Sequence, residues 1–520
     1  MRICICLLAL ATMVLALSAV AQDDRPVPVR PGADNTLIYE PDEHGDTIPD
    51  FSTCGYRGGG VALPEVPTRL TLEPAEGDDT ERIQAALDEI GAMPLDPDGF
   101  RGAVLLRAGE YQIEGALSIG ASGVVLRGEG SDNDGTILRA TGTDRRTLIK
   151  LLGDGSRQEI EGSRVGVLDE YVPVGARSLR VEDAGGISVG DPIAVVRVAT
   201  DGWISAIGMD RIPERADGGT VTQWTPGAYT MHFERIVTAI DGDRITLDTP
   251  MVVSLDQNYG GGYVYRYEWP ERISNVGIEH LRGISDFNPE VTATRGGEDY
   301  YADEEHAWSF IWVEKAEDAW VRDVTSVYFG YSCVWTRAGS SRVTVQDSAC
   351  LDPVSQITGS RRYSFAANGQ QALFLRCYAR QGRHDFVMHA RVPGPNAFVD
   401  CRADNAYSDS GPHHRWATGT LYDNVVVNGN ALNVRNRGNS GTGHGWAGAQ
   451  QVFWNCTADR IICQQPPTAQ NWAIGCIAGD RSGDGYWASF GEPVSPRSLY
   501  FAQLRERLGD AAVAAVQPGG

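Results

Sequence analysis

The sequence predicts an all-β protein whose chain coils into a parallel β-helix, and a repeat in its second half is the main observation. His389 and His413 are 24 residues apart. Two short apolar runs that each end in a cysteine, 373–377 and 397–401, are separated by the same step. Repeats of this length that carry short strands and turns are typical of a β-strand solenoid.

Arg376 and Asp400 hold equivalent positions in the repeat, and we call such positions anchors. The repeat extends from them in both directions. Successive anchors between residues 322 and 475 are 24, 30, 24, 23, 32 and 20 residues apart. Variable steps are expected when insertions enter the loops on one face. Equivalent residues of neighbouring coils would then stack about 4.8 Å apart. We therefore expect the β-helix over residues 100–150 and 270–480.

The amino terminus predicts export. Met1-Arg2 is followed by an apolar run, and Ala19-Val20-Ala21 forms a small-x-small cleavage site. This pattern is typical of a secretory signal peptide over residues 1–21, so the mature protein would be secreted or periplasmic. No other apolar run is long enough to span a bilayer.

Residues 22–76 are rich in proline, glycine and aspartate without periodicity, which predicts an extended arm over the surface. Residues 77–150 would hold a capping helix and the first coils. A cap at Asp79 or Thr80 and apolar residues at helical spacing from Ile83 indicate the helix. Short strands broken by glycines follow it, as the first coils require.

Three motifs in this stretch are those of a known superfamily. They are Asp78-Asp79-Thr80 before the helix, Leu-x-x-Gly-x-Tyr at 106–111, and Leu-Arg-Gly-Glu-Gly at 126–130. In them the sequence resembles the amino-terminal end of pectate-lyase-superfamily right-handed β-helix proteins, whose helix caps the open end of the solenoid. The resemblance implies a right-handed fold, in a superfamily that includes polysaccharide lyases, glycoside hydrolases, epimerases and phage tailspikes. No calcium-site or catalytic motif of pectate lyases carries over onto this sequence.

Residues 151–268 interrupt the repeat and predict a β-rich insertion beside the solenoid. Its hairpin signal is Asp-Gly-Asp within residues 240–247. Trp203 and Trp224 belong to this insertion, and for both indoles packing is favoured over stacking on sugar rings.

Residues 269–485 would form the main β-helix with the site, and 486–520 a carboxyl-terminal capping segment. Apolar i, i+4, i+8 spacing from Tyr500 and a stop at Gly509 predict a short helix there. We expect it to cover the far end of the solenoid, whose strand edges would otherwise be exposed. The alanine-rich tail beyond it is expected to lack structure.

Charge and cysteine content limit the partners and the compartment. The formal charge of −23 argues against DNA and anionic membranes as partners, and the oligomeric state is left open. Ten cysteines less Cys4 and Cys6 of the leader leave eight, an even number that permits disulfides. Four of them occupy the same position in the repeat, which favours a buried stack of small apolar side chains over disulfides. They are Cys377, Cys401, Cys456 and Cys476.

Arginines recur fifteen residues past four successive anchors and fourteen past the next. They are Arg337, Arg361, Arg391, Arg415 and Arg437. If the register holds, five guanidinium groups line one face, and unpaired like charges so close together require an anionic partner. That partner is either a ligand or protein carboxylates, for which the candidates are Asp385, Asp404 and Asp409.

Five of the nine histidines fall within 61 residues. They are His384, His389, His413, His414 and His444. Their position beside the arginines predicts a catalytic role for at least one. The glycine-rich loop 441–446 would present His444 and the indole of Trp446 at a cleft edge, or else form a simple turn. Acidic residues within 298–305 suit Ca²⁺, the one cofactor that the sequence suggests, but their spacing matches no calcium loop and favours a solvated loop.

The best-matched function is a polysaccharide lyase that cleaves a uronate-containing anionic polysaccharide by β-elimination. A cation must neutralise the carboxylate, a base must remove the C5 proton, and an acid must protonate the leaving oxygen. We assign the cation to Arg391 and Arg415, the base to His413 or His389 with His414 as a substitute, and the acid to Tyr422 or His444. Further substrate contacts are assigned to Arg337, Arg361, Arg437, His384 and Trp446.

On an extended strand His413 and Arg415 would project from the same face, unless Pro412 bends the strand.

Two alternative functions remain. One is a glycoside hydrolase that uses paired carboxylates such as Asp385 and Asp409. The other is a non-catalytic carbohydrate-binding solenoid.

Overall fold

The chain forms the right-handed parallel β-helix that the sequence predicts. The computed structural model describes residues 25–34 and 36–517, so the predicted signal peptide lies outside the described residues. Successive coils contribute strands to three parallel sheets, which we call the first, second and third sheets.

The first sheet contains Thr68–Leu72, Gly102–Leu106, Val124–Arg127, the first halves of Ile273–Ser285 and Ala316–Val327, then Ser341–Gln346, Leu373–Leu375, Asn396–Val399, Thr420–Asp423, Val452–Trp454, Trp472–Ile474 and Tyr486–Ala488. The second contains Gly109–Ile113, Thr136–Ala140, the second halves of the two long strands, then Ala349–Leu351, Tyr378–Arg380, Arg402–Asp404, Val426–Val434, Thr457–Cys463 and Ile477–Ser482. The third contains Leu117–Ile119, Thr147–Leu152, Ser309–Glu314, Ser332–Thr336, Tyr363–Ala367, His384–Met388 and Gly411–Pro412.

From the coil of Asp323 onward, one left-handed residue makes the corner between the first and second sheets. These corner residues are Asp323, Asp347, Arg376, Asp400, Asn424, Asn455 and Gly475, with φ between 49° and 64°. Aspartate, asparagine and glycine tolerate this conformation best, which explains why polar residues recur at the anchors. The anchors at 322, 346 and 423 are each one residue short of the true corner.

The solenoid interior is filled by side chains that stack from coil to coil. The rings of Phe374 and Phe398 lie 4.6 Å apart, and those of Phe398 and Tyr422 lie 5.2 Å apart. All eight cysteines of the described residues are buried and unbridged. The predicted stack of cysteines after the corner is confirmed: Cys377 and Cys401 are members of the packed core. The disulfide alternative is wrong for the described residues, because none of these cysteines is bridged.

The predicted capping helix is Thr80–Gly91. Its apolar face, with Ile83, Leu87 and Ile90, joins the core cluster of the solenoid beside the first coils. The helix therefore closes the amino-terminal end of the core, as the resemblance implied.

The segment between Leu152 and Ile273 builds an antiparallel sheet with its own core. Its strands are Gln158–Glu159, Val165–Gly166, Ser178–Arg180, Pro192–Arg197, Met231–Asp241, Arg244–Leu247 and Gly262–Glu268, with Tyr171–Val172 paired to Leu255–Asp256 and short helices at Asp201–Ala206 and Pro226–Tyr229. The predicted hairpin is present, with Ile240 opposite Ile245. Trp203 and Trp224 are buried and pack edge-on against Trp416 of the solenoid, so the packing interpretation is correct.

The carboxyl-terminal helix Leu499–Leu508 does not cover the far end of the solenoid, so that prediction is wrong. It packs on the outer face of the first sheet, together with the amino-terminal arm that carries Phe51. Outward-facing side chains such as Leu373 and Leu421 make that face apolar, and the helix and arm keep it from water. The tail expected to lack structure forms a second helix, Asp510–Val516. Within the described residues no helix is both long and apolar enough to span a membrane.

Candidate active site

The outer face of the third sheet carries a row of aromatic rings. Trp312 and Trp335 are register partners on adjacent coils, with ring centroids 5.5 Å apart. Trp308 stacks on Tyr331 at 6.4 Å, and Tyr331 lies 5.0 Å from Tyr363. The three indoles are half-buried, and guanidinium groups lie over them: Arg145 is 4.8 Å from the Trp308 ring, and Arg337 is 4.0 Å from that of Trp312 and 4.6 Å from that of Trp335. Sequence reasoning missed this row, although the 23-residue step from Trp308 to Tyr331 and from Trp312 to Trp335 was a usable signal.

The five histidines singled out in the sequence gather where this row ends. The His384 and His413 rings are 4.5 Å apart, and the His413 ring is 5.1 Å from those of both His414 and His444. His389 stacks on Trp335 at 4.9 Å. We call these five residues the histidine cluster. The coil register brings them together, because Met388 pairs with Pro412 and so places His389 beside His413.

Two tyrosine–histidine hydrogen bonds tie the cluster to the aromatic row. The Tyr331 hydroxyl lies 3.2 Å from Nε2 of His389, and the Tyr363 hydroxyl lies 3.1 Å from Nε2 of His413. Each tyrosine therefore reaches a histidine two coils further along. Nδ1 of His413 is buried and has no hydrogen-bond partner in the described residues.

Burial keeps the cluster neutral. Desolvation lowers the pKa of His384 to about 4 and that of His389 to about 3, with neighbouring cationic side chains contributing further. Burial also lowers the pKa of His413 far below its ordinary value, helped by His384 and Arg437. The phenol of Tyr363 has its pKa raised by burial, so it stays protonated at neutral pH.

The tautomer of His384 follows from its neighbour. Its Nδ1 bonds the backbone carbonyl of Asp409, and a carbonyl only accepts, so Nδ1 carries the proton and Nε2 carries the lone pair. That Nε2 is buried and has no partner in the described part of the chain. The site thus holds imidazole nitrogens that are buried without a partner in the described residues.

The predicted column of five arginines does not exist. Arg337 pairs with Glu314 at 2.9 Å, Arg361 with Glu304 at 2.7 Å, and Arg437 with Asp409 at 2.9 Å, so three of the five have protein carboxylates as partners. The count of fifteen residues fails because it crosses loops of different length. Arg337 follows Thr336 and so stands in the coil position of His389, not that of Arg391.

Arg391 and Arg415 are the pair that the register does align. The Arg391 amide donates to the Arg415 carbonyl at 2.7 Å, and neither side chain has a carboxylate within ion-pair distance in the described residues. The Arg415 guanidinium bonds Thr442, and that of Arg391 lies 5.7 Å from the ring of Tyr229. Arg391 also lines a cleft of about 430 Å³ between the solenoid and the insertion, beside His232.

The expected same-face arrangement of His413 and Arg415 is wrong. The strand ends at Pro412, and Arg415 and Trp416 both have positive φ, so the chain turns a corner here. His413 is buried toward Tyr363, whereas the half-buried Arg415 points to the loop that carries His444.

Two further predicted site residues lie away from the cluster. Tyr422 is fully buried in the solenoid core against Phe398, so it cannot serve as an acid for a substrate on the surface. The Trp446 indole N–H donates to the Ile207 carbonyl, and the half-buried ring packs against the core of the insertion.

The candidate carboxylates have structural partners. Asp385 is fully buried, accepts a 2.6 Å hydrogen bond from Ser364 beside the core residue Cys350, and has its pKa raised to about 7 by burial. Burial also acts to raise the pKa of Asp409, but His384 and Arg437 lower that pKa well below its ordinary value. Asp404 pairs with Arg402.

The acidic stretch suggested for Ca²⁺ forms part of a hairpin, Thr292–Arg295 with Glu298–Tyr301, and the loop after it. Glu304 binds both Arg145 and Arg361, and Asp303 accepts backbone amides of Asn288 and Glu305. Across residues 25–34 and 36–517, no group of three or more histidine, cysteine, aspartate or glutamate side chains has a geometry that would hold a metal ion.

Comparisons with known proteins find similarity in fold. No family model and no curated protein matches the sequence. Among solved structures, the tailspike protein gp49 from Pseudomonas phage LKA1 is 14% identical, with TM-score 0.41 over 77% of this chain and 57% of that chain. The alginate lyase from Paenibacillus sp. str. FPU-7 is 10% identical (TM-score 0.37, 81% of this chain, 97% of that chain). The polygalacturonase from Erwinia carotovora ssp. carotovora is 11% identical (TM-score 0.38, 83% and 98%).

Proposed function

We propose that this protein is an exported lyase that cleaves a uronate-containing polysaccharide by β-elimination at the histidine cluster. The observation that carries the proposal is the hydrogen bond between Tyr363 and His413, together with the unpartnered Nδ1 of that histidine. A neutral imidazole joined to a protonated phenol supplies a base and an acid that are already linked.

In this mechanism Tyr363 and His413 form a proton relay. In the tautomer with Nε2–H donating to Tyr363, Nδ1 of His413 takes the C5 proton, the C4–C5 double bond forms, and the C4–O bond breaks. Tyr363 protonates the leaving oxygen and regains a proton from Nε2 of the imidazolium across the 3.1 Å hydrogen bond. The net result is transfer of one proton from C5 to the leaving oxygen. His413 is left with its proton on Nδ1 and returns to the starting tautomer by proton exchange with solvent.

Charge around the cluster favours a uronate. Arg415 and Arg391, which have no carboxylate partner in the described chain, are the cations available to the substrate carboxylate. A carboxylate bound nearby also raises the pKa of the buried histidines, which makes His413 a stronger base when substrate is present. The aromatic row beside the cluster supports binding of sugar rings along the solenoid.

Hydrolysis by two carboxylates has less support. An acid and a base or nucleophile must face the glycosidic bond from both sides. Asp385 is enclosed in the core, and the carboxylate of Asp409 is paired with Arg437 while its backbone carbonyl accepts from Nδ1 of His384, so neither is free for that role.

The proposal is tested by incubating the purified protein with alginate, polygalacturonate and glycosaminoglycans. Elimination yields an unsaturated uronate, so ultraviolet absorbance and reducing ends should rise together on one of them. Reducing ends without absorbance would identify a hydrolase, and binding without either product would identify a binding module.

A further inference from the structure

A second pocket lies on the other flank of the third sheet, beside the hairpin Thr292–Tyr301. Its volume is about 560 Å³, within the range of small-molecule sites. Four tyrosines line it, namely Tyr300, Tyr301, Tyr328 and Tyr407, with Asp299, Asp352, Gln381 and Arg362 among the polar residues. We call this the tyrosine pocket.

The pocket is held in shape by two arginines. The buried Arg362 guanidinium donates to the carbonyls of Ser355 and Tyr301, and it lies 5.5 Å and 5.7 Å from the rings of Tyr300 and Tyr407. Arg295 of the hairpin reaches across and donates to the carbonyl of Tyr407 at 3.2 Å. Because backbone carbonyls fix both side chains, the walls are in place before a ligand arrives.

The charges that line the pocket select against an anion. The Arg362 N–H groups are used on backbone carbonyls, and Asp352 forms an ion pair with Arg380 at 2.6 Å. Asp299 accepts a hydrogen bond from Thr294 and adds a carboxylate to the rim. The remaining surface consists of phenol faces, hydroxyls, carboxylate oxygens and the amide of Gln381, which suit a ring with apolar C–H faces and several hydroxyls.

We propose that the tyrosine pocket binds an uncharged pyranose residue, at a position distinct from the histidine cluster. Arg362 and Tyr363 are consecutive, yet Arg362 contacts the tyrosine pocket whereas Tyr363 bonds His413. A chain with neutral sugars or neutral branches is held at this pocket while a uronate occupies the cluster. Tyr301, 49% exposed, is the ring that stacks on the sugar.

The test measures binding of neutral tetrasaccharides to the full-length protein by isothermal titration calorimetry. Cellotetraose, mannotetraose and galactotetraose are the probes, and the variants are Tyr301→Ala and Tyr301→Phe. We expect one probe to bind, Tyr301→Ala to weaken it about tenfold, and Tyr301→Phe to keep most of the affinity because the stacking face remains.

Three results would overturn the proposal: no neutral probe binds the native protein, Tyr301→Ala binds as tightly as the native protein, or both variants lose binding equally. Turnover of the polyuronate substrate is measured on the same samples. It should be unchanged in Tyr301→Ala on a short oligouronate, so failure of the lyase assignment and failure of the pocket assignment give different results.

Discussion

The hydroxyl of Tyr363 lies 3.1 Å from Nε2 of His413, although 50 residues and two coils separate them. Tyr331 and His389 form the same contact one coil earlier. Of the two histidines, His413 also faces His384, His414 and His444. The Tyr363–His413 pair therefore lies inside the cluster, and the Tyr331–His389 pair lies at its margin.

The Tyr363–His413 pair should be required for turnover. Tyr363→Phe and His413→Ala are each expected to lower kcat by about 10²–10⁴-fold, because each removes one end of the relay. Tyr331→Phe is the matched control and should lower kcat by less than about tenfold. The measurement is ultraviolet absorbance on the confirmed polyuronate, with thermal melting to verify folding. Native-like kcat in both Tyr363→Phe and His413→Ala would remove the pair from the mechanism.

Arg391 and Arg437 should respond to substitution in opposite ways. Arg391 has no carboxylate partner in the described residues, so Arg391→Ala should raise KM for the polyuronate while the free energy of unfolding stays within about 0.5 kcal/mol. Arg437→Ala leaves the nearly buried Asp409 carboxylate without its cation and should cost about 3–5 kcal/mol. Urea unfolding and steady-state kinetics on both variants separate the two roles. A large loss of stability in Arg391→Ala with an unchanged KM would make that arginine structural.

The solenoid could be predicted because its corners constrain the sequence. The left-handed backbone at Asp400 and Asn424 restricts which amino acids these corners accept. The position after the corner, such as Cys401, must fit the buried core, so similar residues recur at both positions from coil to coil. The histidine cluster could be predicted for the same reason, since a 24-residue coil places His389 next to His413.

The predictions that were wrong depend on shifts of single residues in the register of the repeat. Tyr422 stands two residues before the corner at Asn424, where side chains point inward, and an anchor placed one residue early hides this. Loops of unequal length break the arginine count, because the sequence does not state where an insertion enters a coil. The cover of the first sheet by the terminal helix depends on contacts between segments hundreds of residues apart, such as Phe51 with Gln503.

Asp385→Asn should stabilise the protein at alkaline pH. The folded-state pKa of Asp385 is raised to about 7, so the folded state binds this proton more tightly than the unfolded state and loses that advantage as pH rises through 7. Asparagine keeps an acceptor for Ser364 and cannot ionise. The gain in free energy of unfolding should reach at most about 4 kcal/mol at pH 8 and shrink toward pH 4.

The control for that substitution is Asp404→Asn. The hydrogen bond from Arg402 is the main cause that lowers the pKa of Asp404, so this change should bring no stabilisation at pH 8. If Asp385→Asn gains nothing at pH 8 relative to pH 5, the buried carboxylate does not carry the charge assigned to it.

His384 should make the protein sensitive to mild acid. Its folded-state pKa is about 4, against an ordinary value near 6.5, so the unfolded state binds the proton first and stability falls as pH drops from 6.5 toward 4. In His384→Asn the amide nitrogen takes the place of Nδ1 opposite the Asp409 carbonyl, and no proton is taken up. The variant should therefore lose about 3 kcal/mol less than the native protein between pH 7 and pH 4. Urea unfolding at both pH values measures this difference, and parallel losses in the two proteins would show that His384 is not held neutral by burial.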